Sequence, residues 1–181
     1  MTNHPRATRL ERREVYAGRI FSLHVDRVTL PNGHTLDMEI VRHPGSVVLI
    51  PQPTPGEIIL IRQYRYTLDR WIWELPAGSL ERGENPDEAA ARECEEEIGL
   101  VPERVERLRT CYPTPGFCDE AMIYYRCTGL RPPAADSPVR KDEDEDLEPR
   151  TFTLAEARAF VSRGEIVDLK TIAGLAFVEG R

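Results

Sequence analysis

Residues 78–100 read GSLERGENPDEAAARECEEEIGL, and this stretch has few ways to fold. Pro86 suits a first helical turn, where its missing N–H costs nothing. Across residues 87–98 every position except Cys94 and Ile98 is Ala, Glu, Arg or Asp, mostly good helix formers. Gly99 stands where a left-handed C-cap belongs. The spacing predicts a loop, a helix and a stop. The helix carries its charge at the wrong end for stability. Glu93, Glu95, Glu96 and Glu97 crowd the last turns, where the helix dipole disfavours carboxylates. Glu93, Glu96 and Glu97 share one face, where like charges repel by about 0.2–0.5 kcal/mol per pair. A divalent cation would remove that repulsion, and hard cations such as Mg²⁺ take oxygen ligands. For an acidic run alone, a solvated face is the ordinary alternative.

The full spacing decides between the two. Gly78, five residues, Glu84, seven residues and then Arg92-Glu93-Cys94-Glu95-Glu96-Glu97-Ile98-Gly99-Leu100 match G-x5-E-x7-R-E-U-x-E-E-x-G-U at every fixed position, U being apolar. Cys94 fills an apolar slot usually held by a branched aliphatic residue; a buried free Cys serves as a small hydrophobe. On these residues the chain resembles the Nudix hydrolases. The resemblance implies hydrolysis of a diphosphate linked to another group, assisted by Mg²⁺ or Mn²⁺.

With 181 residues, 40% of them hydrophobic and 30% charged, a packed core and a polar surface are both expected. The net charge of −7 argues against broad binding to nucleic acid or to an anionic membrane. It leaves a phosphate-bearing substrate open, because bound metal ions invert the local field. No apolar run is long enough to span a bilayer, and the first residues lack the apolar core of a secretory signal. The cysteines at 94, 111, 118 and 127 form no C-x-x-C pair, which fits reduced thiols in a cytoplasm.

Residues 1 to about 12 are polar and basic and are expected to fray. Residues 14–43 read as a small antiparallel unit, with Phe21, Leu23 and Val25 alternating before the Asn32-Gly33 turn and Leu36, Met38 and Ile40 after it. The expected division is 1–43 for this unit and 44–181 for the hydrolase domain. Strands are expected at 46–51, 58–61, 71–75, 105–112 and 121–130, and a long polar loop at 131–148. Thr153, with Glu156 in the capping-box position, opens a helix over 154–162, and Asp168 can cap a last helix reaching Phe177. Strands on both sides of a helix, then a C-terminal helix, give an α/β class. The resemblance implies an α/β/α sandwich with a mixed central sheet, plus the small N-terminal β unit.

Further segments narrow the resemblance to the ADP-ribose pyrophosphatase branch: Tyr112-Pro113-Thr114-Pro115-Gly116 through Glu120, with Pro115 sixteen residues after Gly99; Gln63-Tyr64-Arg65; Glu74-Leu75-Pro76-Ala77-Gly78; and Tyr16-Ala17-Gly18-Arg19-Ile20-Phe21. The branch implies that Glu93, Glu97, Glu96 and the Ala77 carbonyl hold the metal ions. Water then splits ADP-ribose into AMP and ribose 5-phosphate. Arg92 would orient a carboxylate, and Glu84 would be either an outer metal ligand or the partner of Arg92. Glu143, with Glu145 second, would supply the base. Arg65 and Glu74 would contact substrate, as would Pro115, Gly116 and Glu120. Arg19 and Ile20 would reach adenine from the neighbouring subunit of a homodimer joined through the N-terminal strands. His4, His24, His34 and His43 show no ligand spacing and read as surface or loop residues, and Trp71 and Trp73 read as core or dimer packing. The competing functions are a broader sugar-nucleotide pyrophosphatase, acting for instance on GDP-mannose, and a ligand-sensing domain without catalysis.

Overall fold

Residues 47–50 and 58–61 are no more than 5% exposed. They belong to strands β4 (Ser46–Pro51) and β5 (Glu57–Arg65), which are apolar on both sides and so must be covered on both faces. Alternation does the sorting. Val47, Leu49, Ile59 and Ile61 pack with Ala89, Ala90, Cys94 and Ile98, while Val48, Ile50, Ile58 and Leu60 pack with Ala157 and Leu175. The first group meets helix α1 (Pro86–Ile98), the second α2 (Leu154–Ser162) and α3 (Leu169–Phe177). This is the expected α/β/α sandwich.

The computed structural model describes residues 4–139 and 146–178. They divide into two units, one running to Gly45 and including Tyr112–Ala121, the other comprising Ser46–Cys111 and the chain from Met122 onward. The second unit adds β6 (Arg70–Glu74), β7 (Ala77–Ser79), β8 (Arg104–Cys111), β9 (Met122–Thr128) and β10 (Leu147–Thr153). One sheet has the order β7-β4-β9-β8 and the other β10-β5-β6. The first is mixed, since β4 runs parallel to β9 and antiparallel to β7. Local signals set the helix ends. The Asn85 side chain accepts from the Asp87 N–H at 3.0 Å, a cap worth about 1 kcal/mol, and Gly99 ends α1 at φ 69°. Thr153 and Glu156 form the reciprocal cap of α2, and Asp168 caps α3. Among the described residues no helix is long and apolar enough to cross a membrane.

In the first unit β1 (Thr8–Ala17), β2 (Ser22–Thr29) and β3 (Thr35–Arg42) form an antiparallel sheet. The expectation that residues up to 12 fray is corrected for residues 8–12, which are strand. Every residue of β1 is exposed, so no apolar alternation marked it. The β2 ladder and one buried charge hold it instead. Asp26 is 2% exposed and accepts from Arg12 Nε and Nη2, both at 2.7 Å, and from Arg42 Nη2 at 3.0 Å. Arg42 Nη1 also reaches Asp119 at 2.8 Å, and the Asp119 N–H donates to the Val41 carbonyl, fastening the 112–121 segment to β3. One histidine also differs from expectation: His24 lies in β2 with its side chain only 13% exposed, whereas His43 is in the loop after β3.

The Arg12 hydrogen bond, assisted by the nearby guanidinium charges, holds the Asp26 carboxyl down to about 2 from 3.8. A depressed carboxyl stabilises the fold above its unfolded value, and that contribution is lost as pH falls from about 4 towards 2. Asp26→Asn should therefore speed hydrogen exchange of the β2 amides at pH 6 by about tenfold or more. The gap from wild type should narrow steadily as pH falls from about 4 and close only below about 2; a constant gap would show that the charge is not the cause.

Candidate active site

The strand leading into α1 is cut short by proline. β6 stops at Glu74, and Pro76 has no N–H for a ladder. The chain next pairs with β4, first through the Pro76 carbonyl, which accepts from the Leu49 N–H at 2.9 Å, and then through β7. The break turns backbone towards the helix. The Ala77 N–H donates to Glu97 Oε2 at 3.1 Å. Gly78 lies so close to Glu93 that a Cβ there would sit 1.8 Å from the carboxyl carbon. Only glycine permits that approach. Glu93 and Glu97, one helical turn apart, are 8% and 5% exposed, so two carboxylates are buried against this backbone.

Arg92 gathers the remaining acids. Its Nε and Nη2 donate to Glu84 at 2.9 and 3.1 Å, and its Nη1 lies 2.5 Å from Glu96 Oε2 and 2.8 Å from Glu93 Oε1. Glu84 accepts in addition from the Glu81 N–H at 2.9 Å, which fixes the loop before α1. The Arg92 hydrogen bond pulls the Glu84 carboxyl below its usual value, and the Arg92 pKa rises in return, chiefly through Glu84. The repulsion expected along this helix face is thus partly relieved within the chain. One guanidinium faces three carboxylates.

The donor chemistry suits a hard divalent cation. Glu93, Glu96, Glu97 and the Ala77 carbonyl offer only oxygen, the ligand set of Mg²⁺ or Mn²⁺ rather than of Zn²⁺ or Cu²⁺. Among the described residues no three His, Cys, Asp or Glu side chains converge as a ready-made cage. Mg²⁺ needs none, since it keeps several waters and takes one or two carboxylates together with substrate phosphates.

A second charge cluster lies at the other end of the same strand break. Glu74 is 2% exposed and accepts from Arg65 Nε at 2.6 Å and Nη2 at 2.7 Å, and also from Lys170 Nζ. Lys170 reaches Asp168 Oδ2 at 3.0 Å. Asp168 accepts from the Thr171 N–H at 3.0 Å and the Thr171 hydroxyl at 2.5 Å, and that hydroxyl accepts from the Leu75 N–H at 2.7 Å. Burial is the largest influence on Glu74 and pushes its carboxyl up, but Arg65 and Lys170 together outweigh it and the net shift is downward. Sequence reading had singled out Arg65 and Glu74 but missed Lys170 and Thr171. A signal existed: of 24 basic residues, only Lys141 and Lys170 are lysines.

Other sequence candidates belong to the first unit. Arg19 and Ile20 occupy the turn between β1 and β2, with Ile20 56% exposed. Pro115 and Gly116 form a turn in which the Thr114 carbonyl accepts from the Phe117 and Cys118 N–H groups at 3.3 and 3.1 Å. A Glu120 carboxylate oxygen stands 3.9 Å from His43 Nδ1. Glu143 and Glu145 lie outside the described residues.

Comparison with known proteins bears on this geometry. Residues 41–172 match the family model of the NUDIX domain, and residues 8–41 match that of the nucleoside diphosphate sugar hydrolase N-terminal domain. An ADP-ribose pyrophosphatase of Bacillus subtilis is 35% identical, over 94% of this chain and 91% of its own. A methanol dehydrogenase activator of Bacillus methanolicus is 39% identical, over 92% of this chain and 89% of its own. A crystal structure of an ADP compounds hydrolase superposes with a TM-score of 0.80 at 21% identity, covering 98% of this chain and 95% of that one, which shows a shared fold.

The Gly78 contact yields a direct test. Gly78→Ala should force the Glu93 carboxylate from its place and weaken Mn²⁺ binding by about 10–100-fold, as loss of ligand positioning does elsewhere. Electron paramagnetic resonance titration would read this, with the circular dichroism spectrum expected to stay native. Unchanged Mn²⁺ affinity would separate Glu93 from the cation site.

Proposed function

This chain belongs to the Nudix family, and we propose that it hydrolyses the diphosphate bond of a nucleoside diphosphate sugar, foremost ADP-ribose, giving AMP and ribose 5-phosphate. The observation that carries the reading is the pair of buried carboxylates, Glu93 and Glu97, seated on the Ala77 and Gly78 backbone. Two carboxylates held one helical turn apart offer the oxygen ligands that a hard divalent cation takes. Relatives named for ADP-ribose hydrolysis, and the match to a nucleoside diphosphate sugar hydrolase N-terminal domain, support the substrate class.

Nudix hydrolases in general need a divalent metal. Here Glu93, Glu96, Glu97 and the Ala77 carbonyl would hold Mg²⁺, with Mn²⁺ as a substitute; when bound, the ion neutralises phosphate oxygens and acidifies water. The chain's own residues prepare the ground. Arg92 braces Glu93 and Glu96 against Glu84, and the Ala77 N–H sets the orientation of Glu97. Arg65, with a side chain 42% exposed, takes a substrate phosphate, and Glu74 acts at the substrate through Arg65. Glu143, with Glu145 as second choice, takes the proton of the attacking water. Pro115, Gly116 and Glu120 contact substrate, and Arg19 and Ile20 reach adenine from a second subunit.

That last assignment requires a homodimer. A three-stranded sheet is marginal alone in water, and β1 exposes Leu10, Val15 and Tyr16, which supports burial against a second copy. The free thiols fit a reducing compartment, the cytoplasm. No separate observation favours a non-catalytic sensor, since the acidic helix keeps all its carboxylates.

A product assay over ADP-ribose, GDP-mannose, NADH and 8-oxo-dGTP tests the reading, with the highest kcat/KM expected for ADP-ribose. GDP-mannose ahead of ADP-ribose would make the enzyme a broader sugar-nucleotide pyrophosphatase, and no turnover of any of them would overturn the proposal. Glu97→Gln should lower kcat by about a hundredfold or more, while thermal stability without metal holds or rises. Light scattering should give twice the chain mass at micromolar concentration; a monomer would remove the shared site.

A further inference from the structure

We propose that Lys170 is a positioning residue: its fixed charge on Glu74 frees Arg65 to leave that carboxylate and clamp the substrate diphosphate. The proposal rests on the reading of Arg65 as a phosphate clamp given above.

Glu74 has two cationic partners of unlike freedom. The Arg65 side chain stands at the end of β5 and is 42% exposed, whereas the Lys170 side chain is 8% exposed. The Lys170 backbone is pinned as well, its carbonyl accepting from the Tyr124 hydroxyl at 3.1 Å. Arg65 can therefore move towards a ligand and Lys170 cannot follow.

A carboxylate that is 2% exposed cannot be left without a cation except at great cost. Were Arg65 its single partner, every substrate phosphate would have to strip a buried ion pair before gaining its own. Lys170 lowers that penalty; it also pairs with Asp168 Oδ2 at 3.0 Å, but Asp168 does not depend on that charge alone. Asp168 is compensated by the first turn of α3, where the Thr171 N–H and hydroxyl both donate to it and the helix dipole favours a negative group. The charge on Lys170 is thus available to Glu74 when Arg65 departs. The two cations divide the labour, one holding the buried acid and the other serving the ligand.

Four proteins test this with ADP-ribose: wild type, Arg65→Ala, Lys170→Met and the double variant Lys170→Met/Glu74→Gln. Lys170→Met leaves Arg65 as the sole counter-ion of Glu74 and so locks it. KM should rise about tenfold with kcat nearly unchanged. In the double variant the carboxylate is gone, nothing locks Arg65, and KM should fall well below that of Lys170→Met. Replacing both members of a buried pair is tolerated far better than removing one, so the double variant stays informative even if Lys170→Met folds poorly. A merely structural Lys170 would give losses in kcat and KM together that the second substitution does not rescue, and that result overturns the proposal. So does an unchanged KM in Lys170→Met, or in Arg65→Ala.

A titration with inorganic diphosphate separates this proposal from the assigned reaction. The Arg65 Nε–H resonance, identified by its loss in Arg65→Ala, should shift in wild type and in the double variant but hardly in Lys170→Met. If no sugar nucleotide is turned over, the assigned reaction fails and this titration decides the role of Lys170 alone. Equal shifts in wild type and Lys170→Met overturn it.

Discussion

The strand break at Pro76 is the constraint on which the second unit's chemistry depends. After the break Ala77 opens β7 at the edge of its sheet, and its N–H goes to Glu97 rather than to a neighbouring strand. The same break lays Gly78 against Glu93 at a distance no Cβ allows. Two carboxylates thereby become part of the interface between helix and strand, held by backbone rather than by mobile side chains. Precision follows from that, because backbone in a paired strand has little freedom. β7 is in register with β4, Val48 opposite Ala77, and β4 is buried throughout.

Such an arrangement concentrates negative charge, and the structure answers with two arginines used differently. Arg92 lies within the acidic group and braces it, joining Glu84, Glu93 and Glu96 through one guanidinium. These pairs are part-buried, and a single guanidinium meeting three carboxylates fixes where their oxygens point. Arg65 lies outside that group and ends a strand. Its partner Glu74 is shared with Lys170, and the Thr171 hydroxyl holds the Leu75 N–H one residue later. The segment between Glu74 and Gly78 is therefore fastened from α1 on one side and from α3 on the other. Gly174 allows α3 to come close, since a Cβ there would meet Leu75 Cδ1 at 2.3 Å.

The first unit solves a different problem with the same kind of interaction. Its β1 buries no residue within the chain, and it is kept by a ladder and by Asp26, a buried carboxylate between Arg12 and Arg42. Arg42 extends the tie to Asp119 and so to the turn containing Pro115 and Gly116. A single acid organises a sheet that hydrophobic burial alone would leave marginal.

The sequence by itself determined what is local. Helix α1 and its stop at Gly99, the capping box of α2, the Asp168 cap of α3 and the double-faced strands β4 and β5 all follow from residue type and spacing within a few turns. So does the acidic constellation from Gly78 to Glu97, because helical periodicity fixes which carboxylates share a face. Only the tertiary structure decided the partners. All but two of the 24 basic residues are arginines, and nothing in their order says that Arg12 belongs to Asp26 or Arg92 to Glu84. The Lys170 and Glu74 pair spans 96 residues, as does the bond from the Leu75 N–H to Thr171. Charge pairing carries no periodicity, so it becomes legible only when packing has brought the chain segments together. The first residues of β1, Thr8 to Arg13, are hidden for a related reason: apart from Leu10 they are polar, so no hydrophobic alternation marks them.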